Sequence, residues 1–148
     1  MAVCAFCQIL HGEAAVSLVY SDDRVAAFMD VQPVNPGHVL VVPRVHVALL
    51  SDLDEETGGQ MFKSATRITK AVREVGLQCE GVNLYLADGQ VAGQEVLHVH
   101  LHIIRQVSLT SGSLLALGKI ASTRSRNSYP RVSTRSQSGS LLGTKSIS

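Results

Sequence analysis

His98-Val-His-Leu-His102 places three imidazoles at every second position, interleaved with Val99, Leu101 and Ile103. In an extended chain successive side chains turn to opposite faces, so the histidines share one face and the aliphatic residues the other. Burying the aliphatic side would fix the segment as a strand and leave a row of groups that titrate near neutral pH. Half of the chain's 6 histidines lie in these five residues. Alternation alone also describes any half-exposed strand, so the surroundings decide. His100 has an imidazole on either side and follows a glycine-rich stretch, Asp88-Gly-Gln-Val-Ala-Gly-Gln94. Imidazole can attack phosphorus and leave again, which points to nucleophilic catalysis on a phosphate-bearing substrate. The stretch from Gly89 to Gln94 offers backbone N–H groups and the Gln94 amide to such a phosphate, although ordinary hairpin turns look similar. Neither GxxxxGK[ST] nor GxGxxG occurs, against a P-loop or a Rossmann nucleotide site.

A second constellation is Cys4-Ala-Phe-Cys7. Redox use of a CxxC pair normally follows a strand, and nothing before Cys4 supplies one. Zinc requires four ligands, and His46 and His98 are the natural partners for two cysteines. Such a Cys2His2 site would tie the N-terminus to the sheet, a structural role; two buried thiols are the plainer reading. His98 and His100 as an HxH pair in a metallohydrolase form a third option, but the extra Asp and His cluster such sites need is missing. His38 opens an apolar run beside Pro36-Gly37 and either touches substrate or satisfies its own neighbourhood. Asp30 follows the apolar segment Val25 to Met29, where it suits a ribose diol or an ordinary turn.

These residues need a scaffold. The 148-residue chain is 45% hydrophobic and 17% charged, enough for one globular core. Its net charge of +1 hides an asymmetry. Residues 1–104 carry 6 basic and 12 acidic side chains, net −6, whereas 105–148 carry 7 basic and no acidic ones, net +7. An acidic body argues against a dedicated nucleic-acid binder. Three cysteines leave one unpaired in any disulfide scheme, the N-terminus lacks a signal-peptide pattern, and no window spans a membrane. A cytoplasmic protein is the expectation. Val16 to Tyr20, Val25 to Met29, Gly37 to Pro43, Gly81 to Leu86 and the histidine segment read as strands. One long helix has Asp52 as its cap with Glu55 at capping-box spacing, a stripe of Met61, Ala65, Ile68, Val72 and Val75, and Gly76 at its end. The fold class is α+β, an antiparallel sheet covered by one long helix. Residues 107–148, rich in Ser and Arg, read as a largely disordered basic tail appended to a domain over 1–106.

Together these residues resemble the histidine triad (HIT) family, whose signature is His-φ-His-φ-His-φ-φ with φ apolar. His98-Val-His-Leu-His-Ile-Ile104 fits at every position. The likeness continues through Cys4-Ala-Phe-Cys7, Tyr20-Ser-Asp-Asp, Ala27-Phe-Met-Asp30, Pro36-Gly-His-Val-Leu-Val-Val-Pro43, His46 and Gly93-Gln-Glu-Val-Leu-His98. It is greatest to the nucleotide-binding branch, bacterial members in particular. The resemblance implies a homodimer sharing its sheet and a reaction at the α-phosphate of a purine nucleotide conjugate. The conjugate would be a phosphoramidate, an adenylated amine or a dinucleoside polyphosphate. His100 would be the nucleophile, His102 would contact the phosphate, and Gln94 would lie along the phosphate or leaving group. Asp30, Val31, His38, Gly93, Gln94 and Glu95 would line the nucleotide site, and structural zinc would sit on Cys4, Cys7, His46 and His98. Three departures stand out. Ala87 replaces the asparagine of many eukaryotic members, Glu95 replaces a Ser or Thr, and Ile104 leads to Arg105-Gln106 rather than Pro-Arg. Glu95 and the altered C-terminus motivate an alternative, a nucleotide- or protein-binding module with negligible catalysis.

Overall fold

The computed structural model describes residues 3–108. The expected disordered tail at 107–148 therefore lies almost wholly outside the described residues. A short helix α1 (Ala5–Leu10) leads into β1 (Leu18–Ser21), β2 (Val25–Met29) and β3 (Val39–Pro43). A long helix α2 (Glu55–Glu74) then precedes β4 (Gly81–Tyr85) and β5 (Leu101–Gln106). The five strands form one antiparallel sheet in the order β1-β2-β3-β5-β4. Among the described residues no helix is long and apolar enough to cross a membrane.

Helix α2 covers one face. Met61, Ala65, Ile68 and Val72 pack on Val25, Ala27, Val39, Val41, Val99, Leu101 and Ile103. Val75, placed on the same stripe by spacing, is 64% exposed, because the helix has ended by then. The cap is Asp54 rather than Asp52: its carboxylate accepts from the Thr57 N–H at 2.8 Å. Asp52 belongs to a separate 3-10 turn, Leu50–Asp52. Glu55 and Glu56 in the first turn suit the positive end of the helix dipole. Gly76 lies past the last turn with φ +76°, the left-handed conformation that stops a helix most cheaply with glycine.

The opposite face is covered only in part. Phe6 from α1 packs with Ala26, Phe28, Leu40 and Val42. β2 and β3 are thereby buried on both sides, which explains their near-continuous apolar sequence. Beyond α1, His100, His102, Ile104 and Tyr85 lie on this face.

The histidine segment is only partly a strand. Ladder pairing begins at Leu101, so His98, in a bend, and His100 both precede β5, and His102 alone is on the strand. The alternation survives all the same. Val99, Leu101 and Ile103 face α2, while His98, His100 and His102 turn the other way.

Candidate active site

The register places His102 opposite Leu40 on one side and Tyr85 on the other. His100 sits one step before the strand, 4% exposed, its ring 4.8 Å from that of His102. An open cavity beside them is lined by Asp30, Gln32, Val34, His38, Tyr85, Glu95, His100, His102 and Ile104.

Hydrogen bonds assign the tautomers. His100 Nδ1 lies 2.8 Å from the carbonyl oxygen of His98, so Nδ1 carries the proton and donates. The neutral ring then keeps its lone pair on Nε2. On His38, Nδ1 faces both the Val34 N–H at 3.1 Å and Asp30 Oδ2 at 3.4 Å. The backbone N–H is an obligatory donor, so Nδ1 accepts and the His38 proton sits on Nε2. That N–H donates to His102 Nδ1 at 2.9 Å, leaving the His102 proton on its own Nε2. The cavity thus holds one imidazole prepared as an acceptor or nucleophile and one prepared as a donor.

Burial keeps the His38 and His102 rings neutral. It pushes His102 down to about 4, helped by neighbouring His100 and His38. His38 is lowered chiefly by its own burial, against the pull of the Asp30 carboxylate. A stability consequence follows. The unfolded chain binds a proton at His102 below about pH 6.5, whereas the folded chain refuses it until about 4. The contribution is complete above pH 6.5 and is lost as pH falls through that window. Thermal unfolding should show the midpoint falling between pH 6.5 and 4, with a shallower slope in His102→Asn. An equal slope in both proteins would contradict this origin.

Gln94 is placed differently from the expectation. Its side chain is 4% exposed, accepting from the Gly89 N–H and donating to the Ala48 carbonyl, each at 2.8 Å. Both ends of the amide are committed, and Gln94 is absent from the cavity wall. The N–H groups of Ala92, Gly93 and Gln94 likewise bind carbonyls of the same loop. Four N–H groups of the stretch, those of Gly89, Ala92, Gly93 and Gln94, are thus taken up within it. Gly93 takes φ +92° there. Val31 is 78% exposed and outside the wall, where Gln32 and Val34 stand instead. Asp30 is at the wall, its Oδ1 accepting from the Gln32 N–H at 2.9 Å.

Cys4, Cys7, His46 and His98 gather beside the cavity, all four donor atoms within 4.8 Å of one another. His46 Nδ1 and His98 Nδ1 are 3.2 Å apart; sulfur to nitrogen distances are 3.3 Å for Cys7–His46, 3.5 Å for Cys4–His98 and 3.7 Å for Cys7–His98. Tetrahedral zinc, with bonds of about 2.3 Å to sulfur and about 2.0 Å to nitrogen, puts its donors about 3.3–3.8 Å apart. The set fits. His98 Nε2–H donates to the Pro43 carbonyl at 2.8 Å, which turns the Nδ1 lone pair toward the cysteines. Burial lowers the His98 pKa and so favours the neutral ring a metal needs. Burial raises the Cys7 thiol, and Cys4 beside it adds to the effect, a cost that a cation among them would remove. The HxH option is not supported, since His98 Nδ1 faces the cysteines while His100 Nδ1 is bound to a carbonyl. Asp30, His38 and His102 also lie close together, but both His38 nitrogens and His102 Nδ1 already serve the hydrogen-bond chain from Val34.

Residues 11–108 match the HIT domain family. This chain belongs to the HIT family. The HIT chain is 37% identical over 101 residues to the protein Hit of Bacillus subtilis, covering 68% of itself and 69% of that relative. It is 30% identical over 99 residues to the purine nucleoside phosphoramidase of Escherichia coli K12, covering 67% of itself and 83% of that enzyme. A zinc-bound histidine triad family protein from Mycobacterium smegmatis superposes with a TM-score of 0.69 at 32% identity, over 84% of this chain and 97% of that one.

Spacing alone missed Tyr85, Gln32, Val34 and Ile104 in the HIT cavity wall. Tyr85 reaches it through the β4–β5 register, and its hydroxyl donates to the Ala92 carbonyl at 3.2 Å. Only Ile104 had a local signal, sharing the parity of His102.

Proposed function

We infer that this HIT protein hydrolyses a purine nucleotide conjugate at its α-phosphate through a nucleotidyl-histidine intermediate on His100. The observation that carries this reading is the proton on His100 Nδ1, held by the His98 carbonyl, which leaves Nε2 as a free lone pair in the cavity. Nε2 attacks phosphorus, and the bond from phosphorus to the leaving group breaks as that group takes up a proton from solvent in the open cavity. Water then attacks the same phosphorus and gives up a proton to solvent, the bond to Nε2 breaks, and the mononucleotide leaves with the ring neutral again. His102 Nε2–H is the donor available to the phosphoryl oxygens as their charge grows. Asp30 accepts from the ribose, with Val31 and His38 completing that side; Gly93 and Gln94 hold the loop that sets Glu95 near the leaving group. Cys4, Cys7, His46 and His98 would hold zinc, which would brace the N-terminus and supply no reacting group.

Two carboxylates, Asp30 and Glu95, stand in the cavity wall, and among the described residues no Lys or Arg does. Such a wall suits one phosphate with an amine leaving group better than a polyphosphate. The name borne by the E. coli relative agrees. Measured kcat/KM should favour adenosine phosphoramidate over a diadenosine polyphosphate by about 100-fold or more. The reverse order would contradict the reading. In this view the protein works in the cytoplasm as a homodimer that shares its sheet. β4 supports the dimer, being an edge strand whose Leu84 and Tyr85 are partly exposed.

A further inference from the structure

Phe6 stands between the two cysteines of the knuckle and is the buried residue of α1. Its ring meets His98 nearly edge-on at 5.8 Å and 78°, and His100 at 5.0 Å and 72°. It also packs on Phe28 at 5.7 Å. One ring therefore touches a histidine of the metal cluster, the nucleophile and the core. The hydrogen bond from His100 Nδ1–H to the His98 carbonyl fixes one nitrogen but leaves the ring plane free to turn about that bond. Phe6 removes this freedom from one side, while His102 packs at 63° to the ring. A helix of six residues has no stability of its own, and α1 has no side-chain cap. Its seat depends on packing through Phe6, Ile9 and Leu10 and on the ligands Cys4 and Cys7 that flank Phe6.

We propose that Phe6 is a positioning residue for His100, and that metal on the knuckle sets the rate of phosphoryl attack through it. The cluster then acts as a clamp on the nucleophile as well as a brace for the N-terminus. This rests on His100 being the nucleophile.

Phe6→Leu keeps an apolar side chain and loses the flat edge. In the metal-loaded protein it should lower kcat about tenfold or more with KM within about twofold, since a misaligned attacking atom costs rate rather than binding. Chelation of the parent should lower kcat by a similar factor, and chelation of Phe6→Leu should add less than about threefold, because both act through one contact. A readout independent of turnover is the ring signal of ¹³C-labelled His100. It should be single and sharp in the loaded parent, and broadened or split both in Phe6→Leu and on chelation. Phe6→Met serves as a second variant, and circular dichroism shows which variants fold. The proposal is overturned if kcat and the His100 signal are unchanged in the folded variants, or if substitution and chelation multiply. A parent without turnover would defeat the nucleophile reading, while the His100 signal would still decide the coupling.

Discussion

His100→Ala is expected to lower turnover of a nucleoside phosphoramidate by about four orders of magnitude or more, because the variant has no atom to carry the nucleotidyl group. Nucleotide binding should survive. The ring is one of nine wall residues, and Asp30, His38, Tyr85 and His102 remain in place. Fold stability should change modestly, since removing this ring frees the His98 carbonyl but leaves the core under α2 intact. His102→Ala should cost less, about 10²-fold, as it removes a donor to the phosphoryl oxygens and not the attacking atom. Steady-state kinetics with calorimetric binding of the mononucleotide checks both. Equal losses in binding and turnover would assign His100 to ground-state recognition instead.

Loss of metal from the Cys4, Cys7, His46 and His98 cluster is expected to carry the second large effect. Structural zinc contributes about 10–16 kcal/mol where it organises a whole small domain. Here Cys4, Cys7, His46 and His98 join α1 to the sheet, while the packing of α2 on β2, β3 and β5 is independent of them. Only part of that energy is at stake. Cys7→Ala, or a strong chelator, should lower the unfolding midpoint by about 10 °C or more, equivalent to a few kcal/mol for a domain of this size. The loss exceeds that of one ligand, because the remaining thiol and imidazoles stay crowded without a cation between them. Metal analysis beside thermal unfolding provides the check. A midpoint indifferent to chelation, in protein shown to have lost its metal, would remove the cluster from the structural frame.

Much of the site was legible because its information is local. Aliphatic residues between the histidines of 98–102 dictate two faces whether or not the backbone joins a ladder, so the facing holds although β5 begins only at Leu101. Four good zinc donors in a chain with 3 cysteines and 6 histidines leave few combinations, and the cluster of Cys4, Cys7, His46 and His98 is one of them. What escaped depends on contacts between distant residues. The Gln94 amide turns inward to the Ala48 carbonyl, a partner 46 positions away. Tyr85 joins the wall only through strand register. The cap moved from Asp52 to Asp54 because Leu50–Asp52 forms its own 3-10 turn, a competition that acidic spacing cannot resolve. α1 is too short for periodicity and owes its place to Phe6.

The central claim is a covalent bond between His100 and the nucleotide. Intact-mass spectrometry of the protein quenched during phosphoramidate turnover tests it most directly. The expected result is a transient gain of one nucleotidyl group, localised to His100 in the peptide spanning residues 98–102 and absent from His100→Ala. Full turnover by His100→Ala, or an adduct on another residue, would contradict it.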